Sequence, residues 1–357
     1  MSSITGDLKN PIRGRGTSGN PTNRFETRDY EPELEMEADA LRPATAYIDD
    51  DTRSILSKND SPDVGFDIGI NPYRGCEHGC VYCFARPMHE YLGFSAGLDF
   101  ETRIMVKRNA PALLRNALRK RSWTPQPVGL SGATDPYQPV ERELELTRGG
   151  LEVLAEARNP VAIITKNRLV VRDIDLLREL AKHHAAIVFI SLTTLDLRLN
   201  RVMEPRTSSP GQRLEAIAAL SEAGIPVGVL TAPVIPGLND HELPELLRTA
   251  AAAGARQAGY VLLRLPFAVA PMFERWLEQH YPMRKEKVLN RLRAMRGGEL
   301  YNSTFGERMR GTGPYAGQIE SLFTVARRKA GLDQHRFTLS SDAFRRPDAP
   351  GDQLLLV

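Results

Sequence analysis

Between residues 64 and 264 one pattern recurs: a short apolar run, a turn, then an amphipathic helix. Apolar runs at residues 64–70, 128–130, 161–165, 186–192, 226–231 and 259–263 read as strands. They are rich in Val, Ile and Leu, too short for helices, and bounded by turn residues. The segments between them have helical spacing. Leu113, Leu114, Ala117 and Leu118 share one face of a helix at 111–121. A second helix is expected at 143–157. Ile174, Leu177, Leu180 and Ala181 share one face of another at 173–182. Ser209 followed by Pro210 is a helix start, a side-chain acceptor at the N-cap and a fixed φ at the first turn. That helix buries Leu214, Ile217 and Ala218 and stops at Gly224. Asn239 and Asp240 read as the cap of the next helix, which ends at Gly254. Strands that alternate with helices make a parallel sheet, either barrel-like or doubly wound. In both, ligands collect in the loops after the strands.

The chain of 357 residues suffices for one large α/β domain with extensions, or for two domains. Residues 1–60 read as an N-terminal arm, either disordered or extended over the body. Stretches such as 13–21 have too few apolar groups to offset their ordering entropy. Residues 61–266 form the expected core domain. Residues 267–357 form a mainly helical C-terminal region and tail, with helices at 271–280, 282–296 and 316–330. No run of about 18 apolar residues occurs, so no membrane span is expected. The N-terminus has no apolar signal core. Three cysteines, all clustered, suit a reducing cytoplasm. Net charge is +3, but residues 1–65 hold 8 basic against 13 acidic side chains, so the remainder is basic. The excess concentrates at 107–121 and 284–310, including Arg291, Arg293, Arg296, Arg308 and Arg310. Such runs are either solvated helix faces or the wall of a groove for an acidic partner such as nucleic acid.

Cys76, Cys80 and Cys83 fall within eight consecutive positions directly after the first strand, on the ligand-collecting face. An odd count in one tight loop is a poor disulfide framework and a good face for a metal centre. Three soft thiolates suit an iron–sulfur centre and leave a position open for chemistry. Gly75 and Gly79 let the loop wrap closely. The alternative is a zinc site of three cysteines with His78 or His89.

The Cys-x3-Cys-Val-Tyr-Cys spacing, following the first strand of a βα domain, resembles the signature of the radical S-adenosylmethionine (SAM) superfamily. The resemblance implies a partial (β/α)6 barrel. It implies a [4Fe–4S] cluster on Cys76, Cys80 and Cys83, with SAM chelating the fourth iron. A reduced cluster then cleaves SAM, and the 5′-deoxyadenosyl radical takes hydrogen from a substrate. An electron donor such as flavodoxin or ferredoxin is implied with it.

Further segments fit in the same order. Tyr82 either packs by the cluster, orients the adenine or fills the core. Residues 131–139 stand where relatives carry a Gly-Gly-Glu-like stretch for the SAM amino group. Here Thr134 and Asp135 are the candidates, or Asp135 caps a turn before Pro136. Lys166, at the end of the third strand, points into the ligand face toward the SAM carboxylate, or lies on the surface. Ser191 and Thr193 are candidates for the ribose hydroxyls. Glu204 and Arg206, in Glu-Pro-Arg, resemble a SAM-contacting loop, or pair with each other. Val234 and Ile235, after the fifth strand, are the apolar candidates for the adenine. The segments at 134–139, 164–167 and 204–206 are most similar to the spore photoproduct lyase-like branch, which repairs a thymine dimer in DNA. That lyase uses an additional cysteine as hydrogen donor, and this chain has none. Tyr137 is the candidate donor in its place. A different class of function stays open: a non-enzymatic iron–sulfur or zinc module that contacts nucleic acid or a protein.

Overall fold

The computed structural model describes residues 12–26, 44–130, 132–335 and 337–347. The expectations for residues 1–11, 27–43 and 348–357 fall outside the described residues. Ten strands are described: β1 (Ala46–Asp49), β2 (Leu56–Lys58), β3 (Ile68–Ile70), β4 (Tyr73–Arg74), β5 (Arg103–Val106), β6 (Val128–Leu130), β7 (Val161–Thr165), β8 (Ala186–Ser191), β9 (Val227–Val234) and β10 (Gln257–Leu262). The main sheet runs β10-β9-β8-β7-β6-β3-β2. Pairing is parallel from β3 through β10, and β2 closes the edge antiparallel to β3.

The six parallel strands thus follow sequence order without a reversal. A doubly wound sheet would reverse at a switch point, so the winding is that of an open barrel. The expected strands are all present, the first shortened to three residues. The strands β1, β2, β4 and β5 were not foreseen. β1, β5 and β4 form a small side sheet, and their short or charged sequences lack alternation strong enough to mark them.

Alternation within each strand explains the two faces. Val161 and Ile163 of β7, and Val227 and Val229 of β9, enter the core with Leu151, Leu177, Ile217 and Leu246 of the surrounding helices. Ile164, Leu230 and Ala232 turn inward and line a cavity. Glycine on the inner face makes room for rings. A Cβ on Gly129 would lie 2.3 Å from Phe66, and one on Gly228 would lie 2.5 Å from Phe189.

The helix Pro210–Glu222 begins as expected: Ser209 and Gln212 form a reciprocal capping box. Asn239 does not cap the following helix. Its amide donates to the carbonyls of Thr193 (2.9 Å) and Pro233 (3.1 Å) and accepts from the Ile235 amide, stapling the loop after β9. The C-terminal region is helical at Val269–His280, Lys285–Ala294 and Gly313–Lys329. Met272, Phe273, Trp276 and Leu292 pack with Val81, Tyr82, Leu199 and Met203 over the loop end of the barrel. Among the described residues no helix is long and apolar enough to cross a membrane.

Residues 12–26 run through turns and bends. They lie against the cysteine loop, with Ile12, Thr17, Ser18 and Asn23 buried.

Candidate active site

The cysteine loop is held at both ends by backbone bonds. The Cys76 amide donates to Phe100 O (2.9 Å), Val81 to Met203 O (3.1 Å) and Cys83 to Cys80 O (3.2 Å). Gly75 and Gly79 have φ of +81° and +67°, a region that L side chains rarely adopt, so glycine is required there. Beneath the loop lies a fully buried ion pair, Arg86 with Glu101. Arg86 also donates to the carbonyls of Cys80, Ala96 and Gly97. Glu101 accepts from the amide of Gly16 (3.0 Å) and the hydroxyl of Thr17 (3.3 Å), which fastens the N-terminal segment to the loop.

Cys76, Cys80 and Cys83 are free thiols on one wall of a cavity of about 270 Å³. Burial pushes the Cys80 and Cys83 thiols up, so thiolates there call for a neighbouring positive centre. Tyr82, Thr134, Asp135, Lys166 and Ser191 line the same cavity. Phe66, Phe84, Leu230, Pro233, Arg264 and Met309 complete much of the wall. These six were missed because each is single in its segment, without a motif to mark it.

His78 lines the same cavity and interacts with Cys76, but both its ring nitrogens have further partners. His78 presents Nδ1 to Asp135 (3.4 Å) and Nε2 to the Asn167 amide (3.1 Å). Burial favours neutral His78, yet the Asp135 carboxylate lifts its pKa to about 9. His89 is buried against the rings of Phe94 and Phe100. Among the described residues, no group of three His, Cys, Asp or Glu side chains converges on a single metal position. A cube of four irons takes each thiolate on a separate iron. The donor set fits such a cluster better than one zinc ion.

Asp135 and Glu204 are clasps. The Asp135 carboxylate accepts from the Tyr137 amide (2.9 Å), Thr165 hydroxyl (2.7 Å) and Lys166 amide (2.9 Å), and faces His78. Its four lone-pair positions are filled, which corrects its assignment to the SAM ammonium. It joins the loops after β6 and β7. Burial would raise its pKa, but His78 and these donors bring it to about 2. Glu204 is likewise filled, by Tyr82, Thr193 (2.7 Å), Asn200 (3.1 Å) and Arg213. Arg213 outweighs burial and holds Glu204 at about 2. Neither Glu204 nor Thr193 lines the cavity.

Arg206 pairs with Glu77 (3.1 Å), outside the cavity, and not with Glu204. Val234 and Ile235 are buried in the two apolar cores, and Leu230, Ala232 and Pro233 take the wall instead. A one-residue shift in a strand exchanges its faces, and the reading from sequence placed these contacts too late in the segment. Tyr137 is fully buried in the main core and does not reach the cavity. The Thr134 hydroxyl is used by Gly75 O (2.7 Å) and Gln138 (2.9 Å). Lys166 and Ser191 keep their polar groups for the cavity. Lys166 Nζ lies 5.9 Å from the Tyr82 ring centroid, with no ion pair recorded among the described residues.

An open parallel barrel with a three-cysteine loop after its first parallel strand defines a class. The chain belongs to the radical SAM superfamily, whose profile matches residues 70–250. An uncharacterized protein of Mycobacterium tuberculosis is 42% identical over 215 residues, 60% of this chain and 63% of that protein. This chain therefore spans less than two thirds of that relative's length. A radical SAM Nalpha-GlyT isomerase of Pseudomonas phage M6 is 29% identical over 216 residues, 60% of this chain and 43% of the isomerase. The fold is similar to that of a spore photoproduct lyase complexed with dinucleoside spore photoproduct. The TM-score is 0.55 at 18% identity, covering 79% of each chain. A variant of that lyase with bound AdoMet and the same dinucleoside matches at TM-score 0.54 and 18% identity, over 79% of this chain and 78% of the other.

Proposed function

We propose that this chain is a radical SAM enzyme acting on a nucleic-acid base or base lesion. The observation that carries the reading is the placing of Cys76, Cys80 and Cys83 on one cavity wall with Lys166 and Ser191 left open to the same space. The three thiolates would hold a [4Fe–4S] cluster, which when bound supplies the electron that cleaves SAM to methionine and a 5′-deoxyadenosyl radical. An external donor such as flavodoxin or ferredoxin provides that electron.

The chain's own residues do the rest. Lys166 offers its ammonium to the SAM carboxylate. Ser191 offers a hydroxyl to the ribose. Leu230, Ala232 and Pro233 give the adenine an apolar wall and keep water from a reactive carbon. The shared fold with a lyase complexed with a dinucleoside supports a nucleoside-like substrate. The reaction differs from the lyase's at the hydrogen-return step, because no fourth cysteine exists and Tyr137 is out of reach.

The test is anaerobic. Reconstituted, reduced protein is mixed with SAM and a thymidine oligonucleotide, and 5′-deoxyadenosine is measured. Formation that vanishes in Cys80→Ala is the expected result. An intact, reduced cluster that yields none would overturn the reading in favour of a binding module.

A further inference from the structure

Beyond β10 the chain reads Leu263-Arg264-Leu265. Both leucines are buried in the apolar core over the loops, while Arg264 lines the cavity. Its guanidinium lies over the Phe84 ring, 4.8 Å from the centroid, and Nη1 is 3.8 Å from the Met309 sulfur. Its Nε is buried and has no partner. Asp63, an acid near enough to feel its charge, is spent on Arg308 and the Gly306 amide.

Directly behind stands Arg296, only 3% exposed. Its Nη2 donates to the carbonyls of Leu263 (2.6 Å) and Arg308 (3.2 Å), but Nε and Nη1 have no partner. Burial, and then the charge of Arg264, lowers the Arg296 pKa to about 10. Two adjacent cations with three unmatched nitrogens and no carboxylate between them are costly in the protein alone. An arriving anion relieves that cost. Lys166 is a cation whose charge reaches the Cys80 and Cys83 thiols, which leaves Arg264 for another anion.

We propose that Arg264, with the charge of Arg296 behind it, binds a phosphate group of the substrate at the edge of the cavity. The inference rests on the nucleic-acid reading above and deepens it. A phosphate offers oxygens to a guanidinium fork bidentately. Phe84, 41% exposed, sits under the same guanidinium and offers a ring face to a neighbouring base. The phosphate has two possible sources, the diester of a nucleic-acid backbone and the monoester of a free nucleotide.

The experiment uses the full chain with reconstituted cluster, without SAM or reductant. Calorimetric titrations compare thymidine, thymidine 5′-monophosphate and the dinucleoside monophosphate dTpdT. Wild-type protein should bind one of the phosphate-bearing probes at least about tenfold more tightly than thymidine. Preference for the monophosphate marks a free nucleotide, and preference for dTpdT a backbone diester. Arg264→Gln should lose that advantage, and Arg264→Lys should retain part of it, with melting temperatures confirming that both variants fold. An advantage unchanged in Arg264→Gln, or absent in the wild type, would overturn the proposal. No turnover is involved, so the result is independent of the 5′-deoxyadenosine assay.

Discussion

Around the cysteine loop the buried acids Glu101, Asp135 and Glu204 are filled with hydrogen bonds, whereas Lys166 and Arg264 line the cavity wall, and Arg264 and Arg296 behind it keep buried nitrogens unmatched. The difference separates two uses of charge. A carboxylate whose lone pairs are all taken cannot bind a ligand; it fixes loops relative to one another. A cation facing a cavity without a counter-ion destabilises the protein by itself and gains on binding. Substitutions in the first group should therefore act on stability, and those in the second on affinity.

The largest effect is expected at the cysteines, which belong to neither group. Cys80→Ala should abolish the cluster outright, read as loss of bound iron and of brown colour, because no spare thiol exists. A full iron complement in that variant would refute the ligand assignment. Glu204→Ala comes next. It leaves Arg213 buried and unpaired, at a cost of about 3–5 kcal/mol by urea denaturation. Ordinary stability with weakened SAM binding would move Glu204 into the ligand group.

Glu204 also predicts an acid window. Its folded pKa of about 2 lies below the usual 4.5. The ionised form therefore stabilises the fold fully above pH 4.5, and this contribution is lost as pH falls toward 2. Denaturation of cluster-free Glu204→Gln should depend less steeply on pH across that interval than wild type. Parallel curves would argue that Arg213 does not hold the carboxylate down.

Gly16 sharpens the same contrast from outside the loop. A Cβ there would lie 1.7 Å from the Gly79 carbonyl oxygen. Gly16→Ala should lift the N-terminal segment off Glu101 and cost about 1–3 kcal/mol, with faster hydrogen exchange at the amides of residues 79–81. Unchanged exchange would mean that the segment is not a support of the loop.

The sheet was legible because each βα unit advertises itself twice, by a Val- and Ile-rich run and by helical spacing. That the cysteines, Lys166 and Ser191 would line one cavity was legible from position, after the first strand and at the C-terminal ends of later ones. The clasps were not. Asp135 and Glu204 look like ligand groups in sequence, and only tertiary contacts with His78, Thr165, Tyr82 and Arg213 show them saturated. Arg264 and Arg296 were hidden for the opposite reason. One stands isolated between two leucines and the other falls within a basic run, and that they meet with buried, unmatched nitrogens is a fact of folding alone.

The smallest expected effect is the most discriminating. The Lys166 amide donates to Asp135 and its carbonyl accepts from the Ser208 amide, and Lys166→Ala keeps both bonds. Its side chain is half-buried on the cavity wall and forms no ion pair recorded among the described residues. Stability should therefore change by no more than about 0.5 kcal/mol. If Lys166 holds the SAM carboxylate as proposed, affinity should fall about tenfold with the cluster intact, measured by titration of reconstituted, unreduced protein. If affinity holds and stability falls, Lys166 belongs with the clasps, and the division between filled acids and open cations fails at the residue nearest the chemistry.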